Sequence, residues 1–359
     1  MSRSQIKINL ILLISFVLPL TVIQPAFAQS LQPVEEVVPG GQSLGIKLHT
    51  SGVVVVGFNE INTNDSKESP AEESGVEIGD IILQLNGHKI DDMQTFKTFM
   101  TKYQNSDSPI ELRIKRKEHI FPVEIKPKKE QDNYKLGLYI RDATAGIGTL
   151  TFYDPLTMRY GALGHVIADQ QTKKPLDIFD GQIVLSDVTS INKGESGSPG
   201  EKRAKFSKTD EPIGSIQKNS DYGVYGKLTQ NDFKDQQDIE PIPVAPANEV
   251  KEGKAKIRTV VKGKKVEEFD VEIVSSVPSK NPETKGMIVQ VTDEELLEET
   301  GGIVQGMSGS PIIQNGKIVG AVTHVFLNDP TSGYGVHLEW MLEEAGLKVK
   351  QSSEENKAS

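Results

Sequence analysis

Two regions of the chain differ in the spacing of their hydrophobic residues. In residues 43–128, apolar runs predict strands at SLGIKLHT and GVVVVGF, and the pattern near DMQTFKTFMTKY predicts a helix. Two further runs, PIELRIKR and HIFPVEIKP, predict a strand pair at the end of this region. The pattern therefore predicts a small α+β unit.

From about residue 134 to 349 the chain is rich in short β runs separated by glycine turns, for example GIGTLTFYD, RYGALGHVIA and GQIVLSDVTSI. Strands at this spacing predict a sandwich or barrel rather than a doubly wound sheet. The Pro-rich, polar stretch 236–253 is suited to joining two sub-barrels, and the apolar stripe of HLEWMLEEAG predicts a closing helix. The chain as a whole is predicted to be mainly β.

The ends of the chain read differently from its middle. Residues 1–28 have a short basic start, an apolar run and a small-residue AFA pattern, which is the layout of a secretory signal, with an uncleaved membrane anchor as the alternative. Either segment places residues 29 onward outside the cytoplasm. Residues 29–42, with Pro33, Pro39 and paired glycines, predict a linker, and the charged tail 350–359 is predicted to be disordered.

Composition narrows the possible chemistry. The 359 residues suffice for two domains with full cores, and the net charge of −10 argues against nucleic acid as the main partner. With no cysteine in the chain, disulfides, zinc–thiolate sites and thiol nucleophiles are excluded, so a covalent nucleophile must be Ser, Thr, Lys or a carboxylate. No clustered His and carboxylate pattern is visible, and we expect neither a metal nor a cofactor.

Two near-identical glycine–serine motifs compete for the nucleophile. Ser308 lies in GMSGSPII, between Gly306 and Gly309, and the following PIIQNGKIVGAVTHV predicts an apolar hairpin about an Asn-Gly turn. Glycines there let successive backbone N–H groups point inward, so Gly306 and Ser308 are the predicted oxyanion-hole donors. Ser196, in GESGSPGEKR, has charged surroundings and no hairpin after it, which predicts an exposed loop without a catalytic role.

The base must be a histidine that is held firmly and placed before the serine. His165, in YGALGHVIAD, follows an apolar strand and two glycines, which suits a general base. His324, after the nucleophile hairpin, is expected with Thr323 in the substrate groove, either contacting substrate or filling space. The remaining histidines are predicted to be structural or exposed.

The first unit resembles a PDZ domain, most specifically in AEESGVEIGDIILQLNG. By that resemblance Ser43, Leu44, Gly45 and Ile46 correspond to the loop whose backbone N–H groups hold a peptide's terminal carboxylate, and the following strand accepts a peptide by β-augmentation. The alternative is that this groove is a structural joint and binds nothing.

Beyond the PDZ unit, a base that precedes a GxSGxP serine and its hairpin is similar to the chymotrypsin-like serine peptidases. Together with YGALGHVIAD, the long stretch from NPETKGMIVQVTD to GVHLEW and an exported N-terminus, the chain resembles the stage IV sporulation protein B peptidase family. The resemblance implies a PDZ domain followed by a chymotrypsin-like double β-barrel at 134–349. It also implies a self-cleaving serine endopeptidase that acts between the two cells of a sporangium. Its target would be the membrane-bound regulatory subunit of a metalloprotease, so that a late sigma factor is processed.

The family also implies the catalytic acid, and here the chain geometry offers a rival. Asp293 corresponds to the family's acid, yet it lies only 15 residues before Ser308, where a chymotrypsin-like barrel builds its specificity pocket. Asp187 lies between His165 and Ser308 in the order that such barrels prefer. A His–Ser dyad without an acid is the third possibility.

A function from another class is also open: a non-catalytic PDZ adaptor whose decayed peptidase domain serves only for docking. The presence of both His165 and the glycine-framed Ser308 favours the enzyme.

Overall fold

The computed structural model describes residues 31–62, 67–168, 175–176, 180–206, 211–229, 239–278 and 281–350, without the side chains of His49, Ala143 and Thr144. The predicted signal, residues 1–28, and all but the first residue of the predicted tail lie outside the described residues. In the part of the chain that is described, no helix is both long and apolar enough to cross a membrane.

The strands of the N-terminal half are β1 (Gln32–Val34), β2 (Glu36–Pro39), β3 (Ser43–Phe58), β4 (Ile61–Asn62), β5 (Lys67–Glu68), β6 (Ile81–Leu85), β7 (His88–Lys89), β8 (Ile110–Arg116), β9 (His119–Ile125), β10 (Lys128–Glu130), β11 (Asn133–Lys135), β12 (Leu138–Tyr153), β13 (Arg159–Ala162), β14 (Asp180–Leu185) and β15 (Asp187–Asn192). The later strands are β16 (Glu201–Lys205), β17 (Gly214–Ser220), β18 (Gly223–Leu228), β19 (Ile242–Pro243), β20 (Gly253–Thr259), β21 (Glu267–Ser276), β22 (Met287–Val291), β23 (Pro311–Gln314), β24 (Lys317–Val325), β25 (Ser332–His337) and β26 (Leu347–Val349). Among the described residues the helices are α1 (Pro70–Glu73), α2 (Met93–Tyr103), α3 (Glu294–Thr300) and α4 (Leu338–Glu344), with a 3₁₀ turn at Ala247–Glu249.

The first barrel is a ring of strands in the order β12, β13, β18, β17, β14, β3, closed by the pairing of β3 with β12. Its core is an apolar cluster that includes Leu44, Leu48, Leu150, Tyr160 and Ile183. Alternate residues of each strand point inward, so burial of these side chains fixes which face of each strand lines the barrel.

The PDZ unit is inserted into the longest ribbon of this barrel. Strands β3 and β12 pair antiparallel along their whole length, from Ser43 opposite Thr149 to Phe58 opposite Leu138. The unit's other elements, β4 to β11 with α1 and α2, lie between these two strands in the chain. Their core packs Phe96 of α2 against Ile82 and Leu112 of the sheet, and takes in Val53 and Val55 from the far end of β3. One strand therefore serves both units.

The second barrel is closed in the order β20, β21, β22, β25, β24, β23, and its strands are antiparallel throughout. Helix α4 then packs Leu338, Met341 and Leu342 against a second apolar cluster that also contains Val37 of β2. The predicted closing helix is confirmed, and so is the turn at Asn315 and Gly316, whose φ angles of 52° and 75° are those of a tight hairpin.

The predicted linker at 29–42 is wrong for the residues that are described. Strand β2 pairs with β12 and β19, and Val37 is fully buried. Strand β1 runs parallel to β26 near the C-terminus. The two prolines that suggested a loop are at strand ends or edges, where the missing N–H costs no ladder bond. The overall prediction of a mainly β chain with a PDZ unit and a double barrel is confirmed.

Candidate active site

Ser308 lies on the turn between α3 and β23, at the junction of the two barrels. Gly306 and Gly309 on either side have φ angles of +95° and +93°, a region that non-glycine residues rarely adopt. The turn leads into the β23–β24 hairpin of the closed second barrel, so its C-terminal side is anchored in rigid β structure.

Two threonines of the first barrel hold this turn from the opposite side. The hydroxyl of Thr149 donates to the Gly306 carbonyl at 2.8 Å, and the Thr149 N–H donates to the Ser308 carbonyl at 2.9 Å. The hydroxyl of Thr151 donates to the Gly309 carbonyl at 2.8 Å. Because all three carbonyls are occupied by β12, the backbone of the turn has one conformation fixed by both barrels.

The N–H groups of Gly306 and Ser308 remain available. Among the described residues neither N–H donates a hydrogen bond, whereas the N–H groups of Met307, Gly309 and Ser310 all do. Two open N–H groups at the serine and two residues before it are the donors that an oxyanion hole of the chymotrypsin type uses.

The hydroxyl of Ser308 is not directed at a histidine in this structure. It donates to the backbone carbonyl of Thr323 at 2.7 Å. Thr323 is buried and its own hydroxyl donates to the Tyr334 carbonyl. Rotation about the serine's Cα–Cβ bond is therefore needed before Ser308 can give its proton to a base.

His165 follows β13 and is half-buried. Its Nδ1 lies 2.9 Å from the carbonyl oxygen of Val166. A carbonyl only accepts, so in the neutral ring Nδ1 carries the proton and Nε2 is left as an acceptor. Burial lowers the pKa of His165, and the Val166 carbonyl partly offsets that effect. The ring is therefore neutral and in the tautomer that a general base for serine requires.

His324 stands directly beside His165. The two ring centroids are 4.8 Å apart with the planes tilted by 40°. Desolvation, followed by the nearby His165 and Lys285, lowers the pKa of His324 to about 4. His324 thus stays uncharged near neutral pH, and it follows Thr323, the residue that holds the Ser308 hydroxyl. The predicted groove residues therefore lie between the predicted nucleophile and the predicted base.

A cleft of about 520 Å³ opens beside the two histidines. The first barrel contributes His165, Asp221 and Tyr222 to its lining, and the second contributes His324 and the segment from Pro282 to Lys285. The Tyr222 hydroxyl donates to the Pro282 carbonyl at 3.1 Å, which joins the two barrels across the cleft. The cleft is suited to an extended peptide chain that approaches the histidines.

Asp293 does not contact His165 in the structure. It is the N-cap of α3, where one carboxylate oxygen accepts from Leu296 N at 3.0 Å and the other from Asp270 N at 3.1 Å. Asp187 begins the exposed end of β15, opposite Lys205. Among the described residues no carboxylate accepts a hydrogen bond from His165. The identity of the acid stays a prediction, and the tautomer of His165 is set by a backbone carbonyl.

Residues Ser43–Ile46 are not placed as the PDZ resemblance implies. They form the start of β3 in the middle of the first barrel, where Gly45 is opposite Ile147 of β12 on one side and Val184 of β14 on the other. Leu44 and Ile46 are buried in the barrel core. With both edges of the strand already paired, this segment has no free N–H row for a peptide carboxylate, so the predicted peptide-binding role does not fit the structure.

The loop around Ser196 is exposed, as predicted, but it is not isolated. The Ser196 hydroxyl donates to the Asn328 carbonyl and Gly197 N to the Leu327 carbonyl. Gly194 N donates to the Thr300 carbonyl, and Gln305 N donates to the Gly200 carbonyl. This loop therefore supports the segment that leads to Ser308 rather than forming a second site.

Comparison with known proteins shows the family of the chain. The family model described as SpoIVB peptidase S55 matches residues 132–342, more than half of the chain, and a PDZ domain model matches residues 43–126. The chain belongs to the SpoIVB peptidase S55 family. The chain is thus a serine peptidase that also carries a PDZ domain.

Individual relatives of this family member are distant. A curated protein of Bartonella henselae, BH06270, whose name describes a candidate zinc metalloprotease, is 27% identical over 82 residues, which are 23% of this chain and 22% of that protein. Among solved structures, the active form of the Rv3671c protease from M. tuberculosis is 15% identical with a TM-score of 0.33, over 58% of this chain and 78% of that one. Its inactive form is 16% identical with a TM-score of 0.32, over 56% and 85%.

Sequence reasoning missed the groups that support the S55 site from the first barrel. Thr149 and Thr151 are fully buried, and their alternation in GTLTF is the sequence signal of two polar side chains that face the interior together. Asn219 fixes the chain after His165, since its side chain accepts from Ile167 N at 2.8 Å and donates to the carbonyls of Ile167 and Leu176. Nothing in the local sequence marks Asn219 for that task.

Proposed function

We propose that the protein is an exported serine endopeptidase in which Ser308 is the nucleophile and His165 the general base. The main supporting observation is the hydrogen bond from His165 Nδ1–H to the Val166 carbonyl at 2.9 Å, which leaves Nε2 free to accept a proton. Ser308 turns from Thr323, its Oγ attacks the scissile carbonyl carbon, and its proton passes to Nε2. The negative oxygen that forms is met by the N–H groups of Gly306 and Ser308.

The imidazolium then donates its Nε2 proton to the leaving amine, and water repeats the sequence on the acyl-enzyme. In this proposal the backbone carbonyl of Val166 orients the ring, which is one of the two tasks of a triad acid. It has no full negative charge, so it stabilises the imidazolium less than a carboxylate does. A modest turnover that suits a single regulatory cleavage follows from that difference.

We further propose sporulation signalling as the biological setting, because the chain belongs to the SpoIVB peptidase S55 family. The substrates would be the chain itself and the membrane-bound regulatory subunit of a metalloprotease, whose cleavage leads to processing of a late sigma factor. The place of action would be the space between forespore and mother cell, reached through the N-terminal segment at residues 1–28.

The PDZ unit would supply a peptide-binding surface, as PDZ domains do. Its role would be to tether the peptidase to its membrane partner or to hold part of its own chain. A tether raises the local concentration of substrate without changing the chemistry. Because Ser43–Ile46 lie inside the barrel, the ligand would bind elsewhere on the unit.

Labelling with an alkyl fluorophosphonate tests the nucleophile. The reagent should label the full chain, and Ser308→Ala should remove both labelling and cleavage of the regulatory subunit while leaving the thermal unfolding curve intact. Ser196→Ala is the matched control, since it changes the same residue type in the same local motif and should be labelled like wild type. Wild-type labelling of Ser308→Ala, or a full chain that is never labelled, would contradict the proposal and favour a docking protein.

A further inference from the structure

Lys202 of β16 is unusual for a lysine, because only 1% of its surface is exposed to solvent. Its Nζ donates to the hydroxyl of Thr259 at 2.7 Å, and Thr259 is itself fully buried at the end of β20 in the second barrel. Within the described part of the chain it makes no ion pair with a carboxylate. A lone buried cation is costly, and burial lowers the pKa of Lys202 to about 7.

The stem of this lysine lies against the turn that carries the nucleophile. A Cβ added at Gly306 would lie 3.1 Å from Lys202 Cβ and 3.2 Å from Lys202 Cδ, so the stem covers that face of Gly306. The backbone is joined as well, since Lys202 N donates to the Gln305 carbonyl at 2.9 Å and Gln305 N to the Gly200 carbonyl at 2.8 Å. Gly306 is therefore enclosed between Lys202 and the hydroxyl of Thr149.

The side chain is anchored at both of its ends. Its Cα end is fixed in β16 by the ladder with β15, where Lys202 is opposite Ile191. Its Nζ end is fixed by Thr259. A four-carbon stem held at both ends loses the rotamer freedom that lysine has on a surface. It thus forms a rigid support beneath Gly306, on a side of the turn that the Thr149 hydroxyl does not reach.

We propose that Lys202 is a positioning residue for the oxyanion hole, whose anchored stem holds Gly306 so that its N–H points at the oxygen of the reacting carbonyl. The inference rests on the proposed role of Gly306 and Ser308 in catalysis. Lys202 touches neither the substrate nor the reacting atoms, and it acts through the backbone of Gly306. The stem provides the support, while the amine and Thr259 keep the stem in place.

The test measures the rate at which an alkyl fluorophosphonate labels the full chain. In that reaction Ser308 Oγ bonds to phosphorus, fluoride leaves, and the serine proton passes to His165. Charge develops on the phosphonyl oxygen, so the inactivation rate constant reports the oxyanion hole without using the peptide groove. Loss of one oxyanion-hole donor costs on the order of 10²–10³ in rate, and displacement of Gly306 in Lys202→Ala should slow labelling by about tenfold to a hundredfold. The apparent binding constant of the reagent should not change.

Three further variants separate positioning from stability. Lys202→Met keeps a straight stem without the amine and should recover most of the labelling rate lost in Lys202→Ala, and the remaining difference from wild type reports the anchor at Thr259. Lys202→Val, which lacks Cδ but suits a strand, should be slowed less than Lys202→Ala. If the alanine variant does not fold, Lys202→Val is compared with Lys202→Met instead and should be labelled more slowly. Ile273→Ala is the control, since it truncates a buried residue of β21, a strand that pairs with β20 and β22 and not with the serine turn. It should lower the melting temperature comparably while its labelling rate stays near wild type.

The outcomes are distinct. If wild type is never labelled, the proposed peptidase chemistry fails first. If wild type is labelled and Lys202→Ala loses only as much as Ile273→Ala, Lys202 is merely a core residue and the inference is wrong. If Lys202→Met or Lys202→Val is as slow as Lys202→Ala, the stem is not the supporting part, which also overturns it. A loss in Lys202→Ala that Lys202→Met restores confirms the positioning role.

Discussion

At the scale of single residues, the character of Ser308 comes from its neighbours. Its hydroxyl is ordinary, and the flanking glycines allow a backbone with two open N–H groups. His165 is prepared in the same way: one backbone carbonyl sets its tautomer and burial keeps it neutral. Both effects depend on backbone placement, so they are robust to changes of exposed side chains.

The pH dependence of cleavage should report whether a carboxylate assists His165. Without one, burial keeps the pKa of the free enzyme's base lowered, so kcat/KM should fall with acid only below pH ~6.5, the ordinary value for histidine. A carboxylate facing His165 would stabilise the imidazolium and raise its pKa, so kcat/KM would begin to fall at a higher pH. Measurement of kcat/KM against pH distinguishes the two cases. A fall that begins well above the ordinary pKa of histidine would contradict a His–Ser dyad.

Asp293 should behave as a helix cap. Asparagine caps as well as aspartate does, so Asp293→Asn should keep cleavage within about tenfold of wild type, whereas Asp293→Ala should lose about 1 kcal/mol of stability. Thermal unfolding and kcat measured on both variants separate the two effects. Asp187→Asn at the exposed strand end is the comparison and should be nearly silent. A loss on the order of 10⁴-fold in Asp293→Asn would restore it as the acid of a triad.

At the scale of elements, β3 is the strand that organises the molecule. Its first part closes the first barrel between β12 and β14, and its last part carries the PDZ sheet. A local motif typical of PDZ domains therefore lies in a barrel wall. The reason is that strand pairing is decided by which edges are free to pair, and SLGI fits a barrel edge as well as it fits a groove.

A methyl group at Gly45 should destabilise the barrel rather than a peptide groove. A Cβ there would lie 2.6 Å from the ring of Phe206, closer than any relaxed contact. Overpacking of this kind costs about 1–3 kcal/mol, so Gly45→Ala should lower the melting temperature and the fluorophosphonate labelling of heated samples. Gly57→Ala in the same strand is the control, since its Cβ would be 3.5 Å from Tyr139. Equal melting temperatures for the two variants would refute this reading of β3.

At the scale of the whole molecule, the PDZ unit is an insertion in the β3–β12 ribbon, and the peptidase is not a separate C-terminal piece. Two barrels, joined across the cleft by Tyr222 and Pro282, bring His165 of the first barrel beside His324 of the second. In the proposed mechanism the first barrel supplies the base, His165, and the threonines that hold the serine turn, and the second barrel supplies Ser308.

Deletion variants distinguish an insertion from a tandem domain. A chain that starts at residue 134 lacks β3, which leaves β12 and β14 with open edges, and we expect it to be insoluble or unlabelled by fluorophosphonate. Replacing residues 50–142 by Asn-Gly keeps the pair of His49 and Ala143 and supplies a two-residue turn. That chain should fold and be labelled. A soluble, fully labelled chain from residue 134 would disprove the shared strand.

The sequence by itself determined the parts of this protein that depend on local order. Glycines at 306 and 309 and the Asn-Gly turn at 315–316 fix backbone angles by their own chemistry, and alternating apolar runs bury one face wherever they occur. These signals sufficed for the mainly β fold, the glycine-framed turn at Ser308 and the serine peptidase class. They did so because each needs only a few consecutive residues.

Only the tertiary structure decided which distant residues contact each other, because a residue's contact partners are not adjacent to it in the sequence. Lys202 belongs to a charged segment that the sequence predicts to be an exposed loop, yet the pairing of β16 buries it against Gly306. The family resemblance makes Asp293 the acid, yet one of its oxygens accepts from Leu296 N of the helix that follows it and the other from Asp270 N of β21. The sequence of residues 43–46 predicts a peptide-binding loop, yet both edges of this strand are paired, with β12 and with β14. In each case a contact with residues distant in the sequence determines what the residue does, and such contacts are a property of the whole fold.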